Sequence, residues 1–159
     1  MKVLVVEPGY APYEKDIEGL HGMQEVVGGT ITAIYPFAEP VAVVGNDDSI
    51  SLGMPFNRSM EGGYGGVFGP FFVCALEEDH FGSLTTEQME TYKKKFHMAE
   101  LLIGAKGNTP ITLRVEPRQK AQVPDRDKKP KKRERRGTAS TTVERLARLR
   151  EQPAKGLPY

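Results

Sequence analysis

Polar residues that could do chemistry are concentrated in one short stretch, GMPFNRS at residues 53–59. In this stretch Asn57 places an amide beside the planar guanidinium of Arg58, and such a pair can hold a phosphate, a carboxylate or a loop of backbone. Pro55 would stiffen the stretch and Phe56 would anchor it. Two interpretations stay open. Either Phe56, Asn57 and Arg58 bind a ligand or a protein partner, or Arg58 is a structural residue.

The other reactive residue types lack the neighbours that catalysis or metal binding would require. The segment Glu77-Glu78-Asp79-His80 could bind a divalent cation, but three acids after a strand are typical of a solvated turn, and further oxygen ligands would be needed. The only cysteine, Cys74, lies in the apolar stretch PFFVCAL, where a buried thiol is inert. The three histidines, His21, His80 and His97, show no ligand spacing. We therefore predict no catalytic residue, no metal site and no cofactor.

A basic run marks the C-terminal part of the chain. Seven of the nine residues from Lys128 to Arg136 are basic, and no aromatic side chain is interleaved on which bases could stack. One interpretation is a tether that joins two other parts of the chain. The alternative is a sequence-independent contact with the phosphates of a nucleic acid. The side chains that would make it are Lys128, Lys129, Lys131, Lys132, Arg133, Arg135 and Arg136.

Charge divides the chain into an acidic body and a basic tail, although the formal net charge of the whole is only +1. Residues 1–117 carry 8 basic and 16 acidic side chains, whereas residues 118–136 carry 10 basic and 3 acidic ones. The N-terminal apolar run, Val3 to Val6, is too short for a signal-peptide core or a membrane span. A single cysteine excludes a disulfide within the chain. We therefore expect a cytoplasmic protein that does not enter a membrane.

Apolar patterning predicts the elements that would position these residues. Short apolar or alternating runs indicate about five strands, at 3–6, 30–37, 41–52 (a hairpin with its turn at 45–48), 67–76 and 110–115. One helix is expected from Asp16, as its cap, to Gly28. A second is expected at 85–97, where Thr85 and Gln88 fit a capping box. These elements predict an α+β fold, a mostly antiparallel sheet with two helices on one face.

The tail is predicted to contribute little to the folded core. We place the α+β domain at 1–116, a disordered basic linker at 117–139, a short amphipathic helix at 140–152 and a disordered terminus at 153–159. The helix would present a narrow apolar stripe of Val143, Leu146 and Leu149. A helix of this length is marginal at best when it is isolated in water, so it would dock on its own domain or on another protein.

Residues 1–97 resemble the family known as domain of unknown function 3846. The opening MKVLVVEPGYAPYEKDIEGLHGMQEVVGGTITAIYPF resembles the start of the family, and GMPFNRS resembles its Gly-Leu-Pro-x-Asn-Arg stretch. The segments GVFGPFFVCAL and DHFGSLTTEQMETYKKKF resemble its closing strand and helix. The resemblance implies a small protein of Gram-positive bacteria, their phages or their conjugative elements. It supplies no activity and no catalytic residues.

Three functional hypotheses follow from the sequence. The leading one is a non-enzymatic interaction protein of a mobile element or phage that binds an unidentified protein, a host defence or regulatory factor. The second is a nucleic-acid accessory protein that contacts phosphates through its basic tail. The third is a small-ligand binder or enzyme centred on Asn57 and Arg58.

Overall fold

The computed structural model describes residues 1–119. The basic side chains from Lys128 to Arg136, the predicted helix at 140–152 with Val143, Leu146 and Leu149, and the predicted terminus at 153–159 lie outside the described residues. Within the described residues the chain forms ten strands and two helices. The strands are β1 (Lys2–Val6), β2 (Tyr13–Asp16), β3 (Ile31–Ile34), β4 (Val41–Asn46), β5 (Phe56–Met60), β6 (Gly65–Phe68), β7 (Phe71–Glu77), β8 (His80–Gly82), β9 (Ala99–Lys106) and β10 (Thr109–Val115). The helices are α1 (Gly19–Val27) and α2 (Thr86–Lys95).

The main sheet has six strands in the order β2-β1-β7-β4-β3, with β8 paired to the end of β7. All of its pairings are antiparallel. Two further antiparallel pairs, β5–β6 and β9–β10, form separate two-stranded ribbons. The predicted α+β class, with a mostly antiparallel sheet and two helices, is confirmed.

The two helices lie on opposite faces of the main sheet, so the prediction that both lie on one face is wrong. Phe71 of β7 packs in the same core cluster as Phe96 at the end of α2, whereas Phe72 packs in the cluster that contains Val27 of α1. Both phenylalanines are fully buried. The cause lies in the sequence of β7, because an uninterrupted apolar strand has two faces that must each be covered.

Two predicted strand boundaries are also corrected. The run at 67–76 is divided at Gly69, where φ is +81°, so Val67 pairs with β5 while Phe71 begins β7. The predicted hairpin through 45–48 does not form, since β4 continues to Asn46 and pairs with β3 and β7. Ile50 and Leu52, which were expected to resume a strand, lie exposed in the turn that follows β4.

The ends of the helices follow local sequence signals to different degrees. Thr85 caps α2 through the full capping box: its hydroxyl accepts a hydrogen bond from the Gln88 N–H at 3.0 Å, and the Gln88 side chain accepts one from the Thr85 N–H at 2.9 Å. Gly28 ends α1 in the left-handed conformation, as predicted. Asp16 does not cap α1, because it ends β2 and its carboxylate binds the Met1 ammonium at 3.0 Å.

No helix in residues 1–119 is long and apolar enough to cross a membrane.

Candidate functional site

Arg58 is a fully buried side chain whose guanidinium is surrounded by oxygen acceptors from three parts of the fold. Its Nε and Nη2 both donate to the Phe96 carbonyl, at 3.2 and 2.8 Å. Nη2 also donates to the Tyr10 carbonyl at 2.7 Å, and Nη1 donates to Asn57 Oδ1 at 2.8 Å. Arg58 thus connects β5 to the end of α2 and to the loop between β1 and β2.

The side chain of Asn57 makes further hydrogen bonds beside the Arg58 guanidinium. It is fully buried, and its Nδ2 donates to the Val6 carbonyl at 2.9 Å and to the Gly69 carbonyl at 2.8 Å. The amide therefore joins the end of β1 to the bend between β6 and β7, while its oxygen receives Arg58. Every polar atom of the Asn57 side chain is bonded within the protein.

Phe56 is half-buried at the start of β5 and packs edge-to-face on Phe68 of β6, with ring centroids 5.3 Å apart. It also lines a surface groove with Tyr64 and Leu102. Of the three residues predicted to bind a ligand or partner, only Phe56 reaches the surface, because Asn57 and Arg58 are fully buried.

The electrostatics of the site agree with a structural role for the guanidinium. Burial lowers the pKa of Arg58 to about 10, and the nearby Glu100 carboxylate offsets part of this effect. Arg58 remains charged at neutral pH, and the carbonyl of Phe96, at the C-terminal end of α2, is a favourable place for a cation. A ligand could replace these acceptors only if the surrounding backbone opened. The geometry thus favours the structural interpretation of Arg58, while ligand binding at Phe56, Asn57 and Arg58 stays a prediction.

The remaining candidates from the sequence are dispersed. Cys74 is buried in β7, and burial raises the pKa of its thiol to about 12, so the thiol stays protonated at neutral pH. Glu77 and His80 face each other across the β7–β8 turn, with 3.2 Å between Oε1 and Nε2. Residues 1–119 contain no group of three or more His, Cys, Asp or Glu side chains arranged to hold a metal ion.

A cleft that the sequence did not reveal lies beside this turn. Its volume is about 530 Å³, which is within the range of about 300–1,000 Å³ common for ligand pockets. Apolar side chains form its walls, and Glu18, Asp79 and His80 stand at its polar rim. The apolar side chains are Met1, Ile17, Met23 and Phe81. We refer to this feature as the acidic-rimmed cleft.

The acidic-rimmed cleft combines an apolar interior with a negative border. Its apolar walls continue the core cluster beneath α1, which Met1, Met23 and Phe81 partly cover. Glu77 ends β7 and Glu78 precedes Asp79 in the β7–β8 turn, so two further carboxylates neighbour the one that lines the cleft together with Glu18. A group that inserts an apolar side chain and places a positive charge at the rim would match both features.

The family model of Domain of unknown function (DUF3846) matches residues 1–97. The chain belongs to this family. The match includes Asn57 and Arg58 and all the residues that line the acidic-rimmed cleft, whereas β9 and β10 follow it. A search of curated proteins and a search of solved structures each found no match.

Sequence reasoning identified the Asn57-Arg58 pair but could not identify its acceptors. The carbonyls of Tyr10 and Phe96 lie 48 and 38 residues from Arg58 in the chain, and a backbone carbonyl has no sequence signature. The cleft was missed for a similar reason, because its walls come from three separate parts of the chain. The run Glu77-Glu78-Asp79 was the only local signal for it.

Proposed function

We propose that this chain is a non-enzymatic interaction protein of a bacterial mobile element or phage, and that it binds a host defence or regulatory factor. The observation that carries the proposal is the acidic-rimmed cleft. It offers a concave apolar surface next to carboxylates, and the body around it is acidic, with 16 acidic and 8 basic side chains in residues 1–117. The family supplies the mobile-element setting of this proposal by association.

The chemistry of the cleft defines the kind of partner. An apolar side chain of the partner would enter between Met23 and Phe81, and a Lys or Arg beside it would approach Glu18 and Asp79. Charges at a rim contribute mainly to the association rate and to specificity, whereas the buried anchor contributes most of the affinity. We therefore expect a partner with a basic surface and an exposed apolar anchor.

The test is a capture experiment from a Gram-positive host with the full chain as bait. The cleft variant combines Glu18→Lys with Asp79→Lys. The control combines Glu87→Lys with Glu90→Lys, which reverses two exposed charges on α2, away from the cleft. We expect the control to retain the captured protein and the cleft variant to lose it.

The affinity of the purified partner should then be measured for both variants. A loss of tenfold or more in the cleft variant alone, about 1.4 kcal/mol, supports the cleft as the binding surface. Equal loss in both variants would mean that only the overall charge of the body matters. Unchanged affinity in the cleft variant would overturn the proposed surface.

A second candidate function, contact with nucleic-acid phosphates, is favoured by the basic run from Lys128 to Arg136. The acidic body would be repelled by the same polyanion, so this function would belong to the tail.

A further inference from the structure

The strand β3 lies at one end of the main sheet and has an edge without a neighbour. Within residues 1–119 it pairs only with β4, as the last strand in the order β2-β1-β7-β4-β3. Its other edge therefore presents backbone N–H and C=O groups that no strand in residues 1–119 uses. Such an edge is a template for a further strand, because an added extended chain can pair with these groups.

The two end strands of the main sheet differ in how their edges are protected. Folded proteins protect free edges with charged side chains and with proline. The strand β2 has the sequence YEKD, in which three of four residues are charged, and it directly follows Pro12. The strand β3 has the sequence ITAI, which carries no charge and in which three of four residues are β-branched. Of the two end strands, β3 thus has the sequence that favours further pairing.

An apolar groove opens on one face of the sheet beside β3. It is lined by Thr32 and Ile34, which are two residues apart in the strand and therefore share a face. Ile50 and Tyr64 also line it, with 73% and 43% of their surface exposed. The volume of the groove is about 140 Å³. A cavity of about 150 Å³ accommodates a benzene molecule, so the groove has room for one apolar side chain. We call it the edge groove.

The end of the edge at which β3 begins is negatively charged. The Asp47 N–H donates to the carbonyl of Thr30 at 2.8 Å, which places Asp47 beside the residue that precedes β3. Asp48 follows in the same turn, and both side chains are exposed. Neither carboxylate forms an ion pair with another side chain of the described residues. Both are therefore available to a cation on an added chain.

We propose that β3 and the edge groove bind an extended, basic peptide segment of a partner protein, which adds an antiparallel strand to the main sheet. The free backbone groups of β3 require an extended chain, and the edge groove accepts one of its apolar side chains. Asp47 and Asp48 attract a Lys or Arg of the same segment. This site goes beyond the proposed function, because the edge groove and the acidic-rimmed cleft share no lining residue.

The direction of the added strand follows from the sheet. Every pairing in the main sheet is antiparallel. The C-terminal end of an added antiparallel strand would lie beside the start of β3, where Asp47 and Asp48 are found. The basic residues of the segment should therefore follow its apolar ones. Because successive side chains of a strand point to opposite faces, the apolar residues should occupy every second position.

Fluorescence anisotropy with a synthetic peptide of about nine residues and the full chain tests the proposal. The probe peptide alternates valine with threonine and ends in two arginines. We expect saturable binding with a dissociation constant below about 1 mM. A peptide in which the two arginines come first should bind at least about tenfold more weakly. A peptide with proline in place of threonine should not bind, because proline lacks the N–H that pairing requires. Absence of saturable binding by the probe, or equal binding of either other peptide, overturns the proposal.

Two pairs of variants separate the charge at the edge from the overall charge of the body. Asp47→Asn with Asp48→Asn keeps residues that suit a turn and should weaken binding of the probe at least about tenfold. The matched control, Glu87→Gln with Glu90→Gln, removes two exposed carboxylates of α2 and should bind like the wild type. Equal affinities of the two variants would overturn the role of the edge.

The apolar contact is tested in the same way. Ile50→Ser with Tyr64→Ser removes the exposed side chains of the edge groove and should weaken binding of the probe at least about tenfold. The control, Leu20→Ser with Leu101→Ser, removes two leucines that are 55% and 53% exposed and do not line the groove. It should bind like the wild type, and equal affinities of these two variants would overturn the edge groove as the binding site.

Amide hydrogen exchange of the wild-type chain locates the contact without any substitution. Alternate amides of β3 should exchange more slowly when the probe is bound, whereas the amides of β2 should not change. Protection of β2 instead of β3 overturns the proposal. Protection of β3 without the peptide, together with a doubled mass, would assign the edge to a second copy and also overturns it. The cleft variant, Glu18→Lys with Asp79→Lys, should still bind the probe, so this site and the proposed function are tested separately.

Discussion

The guanidinium of Arg58 donates two hydrogen bonds to a single oxygen, the carbonyl of Phe96 that follows the last turn of α2. The final carbonyls of a helix have no partner within the helix and carry its negative end. The Phe96 ring, in turn, packs edge-on against Phe71 of the central strand, with centroids 5.5 Å apart. One buried cation thus fixes the end of α2 against the sheet.

Arg58→Ala should destabilise the fold by about 3–5 kcal/mol, because it leaves the Phe96 and Tyr10 carbonyls and Asn57 Oδ1 buried without donors. Arg58→Lys should cost less but remain destabilising, since an ammonium cannot reproduce the planar fork. Arg114→Ala, at an exposed position, should change stability by less than about 0.5 kcal/mol. Urea unfolding measures all three. If Arg58→Lys folds like the wild type yet loses partner capture, Arg58 belongs to the binding surface instead.

Phe71→Ala and Phe72→Ala should each cost about 3–5 kcal/mol, because each removes a fully buried ring and leaves a cavity. The two losses occur on opposite faces of β7, under α2 and under α1. The urea midpoint should fall in both variants, while Tyr35→Ala, a half-exposed control, should change it little. A normal midpoint for either phenylalanine variant would contradict the placement of that face in the core.

The elements that could be predicted from the sequence are those specified by residues close together in the chain. The capping box at Thr85 and Gln88 and the apolar run of β7 are each contained within a few neighbouring residues. The capping box formed as expected, and the strand predicted at 67–76 formed from Phe71 onward. The positions of the helices were not predictable in this way. A run such as Phe71 to Ala75 is apolar at every position, so it indicates burial without indicating which helix covers which face.

Elements without a local cause were missed. β2, with the sequence YEKD, is polar and mostly exposed, and it exists because β1 offers it an edge. The alternation of β9 is interrupted by the bulge at Ile103, which hides the strand from a search for period two. At Arg58 the residue type was informative, but its partners are backbone atoms supplied by the tertiary fold.

Stability should decrease in alkaline solution, and Tyr92 should account for part of the decrease. The Tyr92 hydroxyl donates to the Glu39 carboxylate at 2.6 Å. Burial and this carboxylate raise the pKa of Tyr92 well above its ordinary value of 10.0. Below pH 10 the phenol is protonated in both states, and its hydrogen bond contributes fully to the stability of the fold. Above pH 10 this contribution is progressively lost, because the phenol ionises in the unfolded state before it ionises in the folded state.

Urea midpoints between pH 8 and pH 11 test this expectation. Tyr92→Phe should be less stable than the wild type at pH 8 and should lose less stability on going to pH 11. Tyr35→Phe should keep the wild-type pH dependence. Tyr13 is unchanged in both variants, its hydroxyl donates to Glu7 and its pKa is also raised. Part of the decrease in stability with rising pH should therefore remain in both variants. Parallel curves for the wild type and Tyr92→Phe would contradict the assignment.

A chain that ends at Gln119 should fold with nearly full stability, whereas one that ends at Glu116 should be less stable. Arg118 makes two backbone hydrogen bonds of 2.9 Å, with Gly9 and Ala11, and its guanidinium lies 4.3 Å from the centre of the Tyr10 ring. Their loss should cost about 1–3 kcal/mol. Thermal unfolding of the two truncated chains and the full chain is the measurement. Equal midpoints at 116 and 119 would place the boundary before Arg118, as the sequence suggested.

Nucleic-acid binding by this protein should be weak, indifferent to sequence and confined to the tail. If the basic side chains from Lys128 to Arg136 make about six phosphate contacts, log affinity should fall against log salt with a slope near −5, from about 0.9 per phosphate on duplex DNA. The dissociation constant should be about 10⁻⁴ to 10⁻⁶ M at physiological salt. Fluorescence anisotropy with two unrelated duplexes at three salt concentrations measures both quantities.

Two variants with equal changes in net charge separate a tail contact from a general charge effect. Replacement of Lys128, Lys129, Lys131, Lys132 and Arg133 by Gln should abolish binding. The control replaces five exposed basic residues of the body by Gln, and it should retain most of the binding. These residues are Lys2, Lys15, Lys94, Lys106 and Arg114. Phosphate contacts carry no base information, so the two duplexes should bind alike. Tight binding to one sequence only, or binding that survives truncation at Gln119, would place the recognition surface on the body, whose acidic side chains argue against it.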